Sequence, residues 1–253
     1  FASQEPQRIE SKEHLLNVEV NENPEDNQIA LTNDEKQIFV SLLNKYEGIF
    51  SDQPGKIEEF QCQIRVKPGD PIHQRQYPIP IARIPKVDAQ IQRMLKLEII
   101  EKSTSPWSSP IVCIEKKNGD IRLCLDARKI NTVIIPDREC PTNMEETLMK
   151  FQGMKYLSSI DLTARYWQYP LRKDCREITA FLHRERNYQF TVLPFGLINS
   201  VAEFQKILDQ VLGPEILQFA AVYVDDIHIT SKSFNEHMQH LERIIRNYRN
   251  IIS

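Results

Sequence analysis

Tyr223-Val224-Asp225-Asp226 sets two adjacent carboxylates between an apolar run, Ile216–Val222, and the alternating Ile227-His228-Ile229. The pattern is that of a β-hairpin with both acids at its tip. A regular strand sends neighbouring side chains to opposite faces. A turn breaks that alternation, so both carboxylates can approach one site. Two negative charges held together are unfavourable unless a cation neutralises them, and oxygen ligands select hard ions such as Mg2+ or Mn2+. A solvated acidic turn carries the same local pattern, so the rest of the chain must decide between the two.

Outward from this hairpin, Leu157-Ser158-Ser159-Ile160-Asp161 is a short strand that ends in a third carboxylate, followed by Leu162, Thr163, Ala164, Arg165 and Tyr166. Asp161 is either a helix N-cap or, with exposed backbone amides after it, part of a site for metal and phosphate. Three acids suit two-metal chemistry, in which ions roughly 3.5–4 Å apart serve the attacking and leaving oxygens. Lys116, Lys117 and Arg122 flank Asn118-Gly119, a pair suited to the positive φ angles of a tight hairpin turn. On such a loop the cations could clamp a triphosphate or protect a solvated strand edge.

The remaining elements follow from periodicity. Ile38, Leu42, Leu43 and Tyr46 share one face of a short helix that Gly48 ends. Prolines between Pro68 and Pro85 keep that stretch extended. Val87, Ile91, Met94, Leu95 and Ile99 recur at helical spacing, and Pro106 and Pro110 place the end of this helix near Ser103. Strands are expected at Ile111–Lys117 and Asp120–Asp126, at Tyr156–Asp161, and at Thr179–Leu182 and Tyr188–Val192 with a polar loop, His183–Asn187, joining the last two. Ser200 with Glu203, and Ser233 with Glu236, have capping-box spacing ahead of apolar helices, the first of which Gly213-Pro214 stops. The fold class is α+β, with strands that come mostly as hairpins.

Composition sets the outer bounds. Hydrophobic residues make up 41% and charged residues 26%, enough apolar side chain for a real core, and no apolar run reaches membrane-spanning length. Residues 1–60 hold 13 acidic and 5 basic side chains, a local charge of −8, and residues 1–30 read as linker. Residues 61–253 carry 22 acidic and 27 basic ones, a local charge of +5 that fits contact with phosphates. Cys62, Cys113, Cys124, Cys140 and Cys175 lack metal-ligand spacing and read as reduced thiols. An initial Phe1 suggests a piece of a longer polyprotein.

Several segments stand in the order seen in reverse transcriptases. They are Ser105–Pro110, Lys116–Arg122, Asp126-Ala127-Arg128-Lys129-Ile130-Asn131, Asp161–Gln168, Thr179-Ala180-Phe181, Leu193-Pro194-Phe195-Gly196-Leu197, Phe204-Gln205 and Tyr223–Asp226. Over about residues 60–250 the chain resembles the Pol polyproteins of gypsy-type long-terminal-repeat retrotransposons. The resemblance implies a right-hand polymerase core of fingers and palm, with an antiparallel palm sheet and a truncated thumb, over 61–253, behind an acidic lead-in at 1–60. It implies that Asp161, Asp225 and Asp226, with the Leu162 carbonyl, bind two Mg2+ or Mn2+ ions. Lys116 and Arg122 would hold the β- and γ-phosphates, Tyr166 would stack on the sugar and exclude a 2′-hydroxyl, and Phe195 would line the same pocket. Implied partners are an RNA or DNA template with primer, deoxynucleoside triphosphates, and the protease, ribonuclease H and integrase of the polyprotein. The implied location is cytoplasmic, within retroelement particles, with no membrane. Arg165 and Glu98 replace usual glycines, Ala127 a usual Tyr and Ile178 a usual Lys. The alternative reading is therefore a decayed or repurposed copy that binds nucleic acid without catalysis; a nucleotidyl cyclase fits the finger hairpin and the Pro-Phe-Gly turn less well.

Overall fold

The computed structural model describes residues 31–49, 55–57, 59–115, 119–137, 149, 151–161, 165–223 and 226–251. In chain order their helices and strands are α1 (Asn33–Lys45), α2 (Ile84–Lys96), β1 (Ile100–Lys102), β2 (Ile111–Glu115), β3 (Ile121–Leu125), β4 (Tyr156–Asp161), β5 (Phe181–His183), β6 (Arg186–Phe190), α3 (Ser200–Ile216), β7 (Ala220–Tyr223), β8 (Asp226–Ser231) and α4 (Phe234–Ile251). The linker reading of residues 1–30 and the Asn118 half of the finger turn lie outside the described residues. No helix among the described residues is long and apolar enough to cross a membrane. The chain divides into two compact units, one of residues 1–55, 139–165 and 204–253, the other of 56–138 and 166–203.

The first unit is built on an antiparallel sheet in the order β4-β8-β7. Ile227 and Ile229 of the central strand are buried, as are Ile160, Ala220 and Val222 on the strands beside it. Helix α4 covers this face with Phe234, His237, Leu241, Ile244, Ile245 and Tyr248, spaced three and four apart. Each buried aliphatic or aromatic side chain contributes roughly 1.5–3 kcal/mol. At the helix start Glu236 accepts from the Lys232 amide while Ser233 accepts from the Glu236 amide, close to the expected capping box. Helix α1 is clasped to α4: Lys45 Nζ lies 2.6 Å from Glu242 Oε1, to which the Tyr46 hydroxyl also donates at 3.0 Å. The buried face of α1 differs from expectation. Phe39 is buried and Ile38 is half exposed, because the side that meets α4 runs through Phe39 and Tyr46.

A polar seam lies inside this apolar layer. His237 is buried with both ring nitrogens engaged, Nε2 with Ser158 Oγ at 2.7 Å and Nδ1 with Ser231 Oγ at 2.9 Å. Burial lowers its pKa to about 4 from an ordinary 6.5, with His240 adding to the shift and Glu236 opposing it. A depressed folded-state value means that the neutral ring's contribution is complete above pH 6.5. It is lost as pH falls from there through 4, while the unfolded chain takes up the proton. The full swing is at most about 3 kcal/mol. Between pH 6.5 and 4 the melting temperature is expected to drop more steeply for the wild type than for His237→Gln, which keeps a donor and an acceptor but does not titrate. Parallel curves would show that the seam does not govern this window.

The second unit holds a hairpin, β2–β3, and a three-stranded sheet in the order β1-β6-β5. Helix α2 buries Val87, Ile91 and Met94 and ends at Lys96, not near Ser103 where Pro106 and Pro110 would place its end. The stop is a Schellman motif: the Glu98 amide donates to the Leu95 carbonyl and the Ile99 amide to the Met94 carbonyl. Glu98 takes the left-handed position, φ +54°, that usually belongs to glycine. The next residues are then free to become β1, where Ile100 faces Phe190. A non-glycine residue there costs on the order of 1 kcal/mol, and the Glu98 side chain is exposed. Glu98→Gly is therefore expected to raise the melting temperature by roughly 2–4 °C; an unchanged or lower value would show that the turn is unstrained.

Two further boundaries differ from expectation. The β5–β6 connection is the two-residue turn Arg184-Glu185, both at positive φ, so His183 and Asn187 belong to strands rather than to a loop. Asp88 on α2 holds the turn, with His183 Nε2 at 2.7 Å and Arg184 Nη2 at 2.8 Å. At the start of α3, Ser200 is not the cap. Its hydroxyl donates to the Pro194 carbonyl, and the first helical amide, Glu203, donates to the Asn199 carbonyl. The helix stop expected at Gly213-Pro214 is present: Gly213 is non-helical, at φ +74°, and a separate turn follows it to Ile216. The four cysteines among the described residues are free, and burial raises their thiol pKa values.

Candidate active site

The acids of the first unit are positioned by strand register. In the β4–β8 ladder Asp161 and Asp226 are direct Cα partners, and in β7–β8 Tyr223 faces Asp226. The strand that ends in Asp161 and the one that begins with Asp226 thus bring two of the three expected acids to opposed positions, beside the Val224-Asp225 connection. Opposed positions of an antiparallel pair carry Cβ atoms roughly 4.5–5.5 Å apart, where like charges repel. Asp226 alternates with buried Ile227, and His228, facing Ser159, follows half-buried. Burial lowers the His228 pKa, with Asp226 pulling the other way. Asp225, Leu162 and Lys116 lie outside the described residues, as do the side chains of Asp161, Arg165 and Tyr166.

The second unit carries the nucleotide-binding candidates. One face of the β2–β3 hairpin is buried through Ile111, Ile121, Leu123 and Leu125, which leaves Arg122 on the other face opposite Ile114. The hairpin is tied to α2 by Arg83 and Lys86, which pair with Glu115 at 3.4 and 3.9 Å, and by Lys86 donating to the Gly119 carbonyl at 2.9 Å. The Arg122 guanidinium carbon sits 5.5 Å from the centre of the Phe195 ring, a cation–π contact. The structure therefore brings together two of the residues singled out for nucleotide binding.

Phe195 owes its place to its neighbours. Gly196 has φ +98°, and a Cβ there would stand 3.2 Å from the Leu125 carbonyl oxygen, so the turn needs glycine for both conformation and room. Asn131 grips the turn twice, donating from Nδ2 to the Gly196 carbonyl at 2.9 Å and accepting at Oδ1 from the Ile198 amide at 3.0 Å. In the sequence Asn131 stands only as the last residue of the Asp126–Asn131 segment. Its partners lie about 65 residues away, and no local pattern announces them.

The same motif begins with Asp126, which is buried. It accepts from Arg128 Nε at 2.9 Å and Nη2 at 2.7 Å, and from the Tyr77 hydroxyl at 2.7 Å. The Arg128 guanidinium holds the Asp126 carboxyl well below the usual carboxylate range. Of the departures from the family pattern, Ile178 and Ala127 are buried. Arg165 opens the 3-10 helix Arg165–Gln168.

Residues 114–251 match the reverse transcriptase (RNA-dependent DNA polymerase) family. The chain is 33% identical over 218 residues to the retrovirus-related Pol polyprotein from transposon opus of Drosophila melanogaster, covering 83% of this chain and 22% of that protein. It is 34% identical over 189 residues to the Pol polyprotein from transposon gypsy of the same organism, covering 72% of this chain and 18% of that one. It thus spans about a fifth of the length of these relatives. Among solved structures, the foamy viral protease-reverse transcriptase in complex with double-stranded DNA superposes with a TM-score of 0.79 at 30% identity, over 88% of this chain and 40% of that chain. Its counterpart in complex with an RNA/DNA hybrid gives 0.79 at 29%, over 88% and 30%. With opposed acids on adjacent strands of one unit's sheet, a cationic finger hairpin in the other and these likenesses, the chain belongs to the reverse transcriptase family, of the type found in retrotransposon Pol polyproteins.

Proposed function

We propose that the chain is the fingers-and-palm core of an RNA-directed DNA polymerase, which transfers a nucleotide from a deoxynucleoside triphosphate to a primer 3′-hydroxyl and releases pyrophosphate. The observation that carries this reading is the register that opposes Asp161 and Asp226. Carboxylates so placed repel one another unless a cation lies between them, and their hard oxygens fit Mg2+ or Mn2+. Asp161, Asp225 and Asp226, with the Leu162 carbonyl, would hold two such ions. Bound ions of this kind supply Lewis-acid stabilisation of the attacking and leaving oxygens. The protein's own part is positioning. Lys116 and Arg122 bind the triphosphate, Tyr166 stacks on the sugar and leaves no room for a 2′-hydroxyl, and Phe195 lines the pocket.

We take residues 61–253 as the polymerase and 1–60 as its acidic lead-in. The structural neighbours' partners, double-stranded DNA and an RNA/DNA hybrid, support a primed RNA or DNA template as the substrate. Protease, ribonuclease H and integrase domains of a longer Pol polyprotein, within cytoplasmic particles, complete the proposal. Mg2+-dependent extension of a DNA primer on an RNA template tests it directly. Retained primer–template binding without extension would leave the non-catalytic alternative, to which Arg165 points.

A further inference from the structure

Two asparagines lace the Phe195 turn to the segment beside it, each reaching the backbone of the other's segment. Asn131 donates from Nδ2 to the Gly196 carbonyl at 2.9 Å and accepts at Oδ1 from the Ile198 amide at 3.0 Å. Asn199 reciprocates, donating from Nδ2 to the Ile135 carbonyl at 2.9 Å and accepting at Oδ1 from the Asp137 amide at 2.9 Å. No backbone–backbone hydrogen bond joins residues 131–137 to residues 196–199, so the two side-chain amides stand in for a ladder. Each carries a donor and an acceptor on one short side chain, and each uses both. Three of the four bonds are exposed to water, which competes for them. What they fix is geometry more than stability.

That geometry reaches the nucleotide-binding candidates. Residues 126–137 continue directly from β3, which carries Arg122, and Gly196 directly follows Phe195. The Arg122 guanidinium lies over the Phe195 ring, so the clasp joins, a few residues further along, the same two segments that this contact joins. Both segments are anchored behind it. Asp126 accepts from Arg128 Nε and the Tyr77 hydroxyl, and Ser200 Oγ donates to the Pro194 carbonyl at 3.2 Å. Between those anchors the turn, with Gly196 at φ +98°, belongs to no strand or helix that would set its angle. We infer that Asn131 and Asn199 are positioning residues for nucleotide binding, whose reciprocal clasp holds Phe195 against Arg122. The inference rests on the reading of Arg122 and Phe195 as nucleotide-binding residues. The asparagines themselves touch no nucleotide in this scheme; they hold in place a side chain that does.

Asn131→Leu and Asn199→Leu keep the branched shape and add no charge, but lose both donor and acceptor. In single-nucleotide extension by the full chain, Asn131→Leu is expected to raise the KM for dTTP about 5–10-fold, the value of one hydrogen bond. Asn199→Leu, whose partners lie farther from Phe195 along the chain, should raise it about 2–3-fold. For both, kcat should stay within about threefold and primer–template affinity within about twofold, with the melting temperature lowered by no more than about 4 °C. In an Arg122→Ala background Asn131→Leu should add little, so the two effects combine less than multiplicatively. A melting temperature that falls while the KM stays put would make the clasp structural only and overturn the inference, leaving the polymerase reading intact. A KM increase matched by an equal loss of primer–template affinity, or one fully multiplicative with Arg122→Ala, would overturn it as well. If the wild type extends no primer, equilibrium dialysis with labelled Mg2+·dTTP takes over. Weaker binding by Asn131→Leu would then sustain the inference without the activity, and equal binding would overturn it. A wild type that binds no nucleotide would overturn the reading of the pocket, and the inference with it.

Discussion

Asp226→Asn is expected to reduce Mg2+-dependent primer extension by three orders of magnitude or more while leaving the fold intact, because the amide keeps the shape and loses the charge that binds a cation. The position is fixed by backbone pairing rather than by the side chain. Asp226 begins the central strand of its sheet, bonded to β4 on one side and β7 on the other, with Ile227 buried beside it. Stability supplies a second readout that does not depend on activity. Without divalent ions the variant should melt at or above the wild type, since a negative charge opposite Asp161 is gone. With Mg2+ at about a hundred times its dissociation constant the wild type should gain about 2.7 kcal/mol, and the variant far less. Residual extension above about a tenth, or an equal Mg2+ shift in both proteins, would contradict the assignment. Asp161→Asn should behave alike, as its Cα partner.

The sequence was most readable where a period met a breaker. Strand β4 ends at Asp161 as its alternation implies, and β8 alternates through Ile227 and Ile229 from Asp226 onward. The misreadings cluster where backbone conformation overrode residue preference. Glu98 in a left-handed turn ends α2 seven residues before Ser103, and Arg184-Glu185 make a tight turn that sequence preference would give to Asn-Gly. Neither is visible locally, because the compensation comes from distant residues: Thr191, whose hydroxyl donates to the Glu98 carbonyl, and Asp88, which binds His183 and Arg184. The site follows the same division. Acids at strand ends and cations beside a turn are local features. The grip of Asn131 on Gly196 and the edge of Trp167 on Phe195 are not, since each joins residues far apart in the chain. What sequence could not supply was the identity of the residues that hold the proposed nucleotide-binding side chains in place.

Arg122→Ala tests the other half of the proposed machinery. It is expected to raise the nucleotide KM about 10–100-fold, the range of a charge-assisted hydrogen bond to phosphate, while primer–template affinity stays within about twofold. The specificity of that outcome follows from the hairpin. Its buried side is made by Ile121, Leu123 and Leu125, and Arg122 lies on the opposite side, so truncation removes no core. Ile114 is its cross-strand neighbour, and Phe195 lies beneath its guanidinium. Arg122→Lys should recover only part of the loss. An ammonium keeps the charge but neither forks onto two phosphate oxygens nor lies flat on an aromatic face. Raising the salt concentration separates the alternatives further. A residue that binds template phosphates weakens template affinity and reduces its salt dependence when removed, whereas one that holds the triphosphate leaves that slope untouched. If Arg122→Ala lowered primer–template affinity tenfold and left the nucleotide KM unchanged, the hairpin would be a template contact, and the Arg122–Phe195 pair would need another ligand.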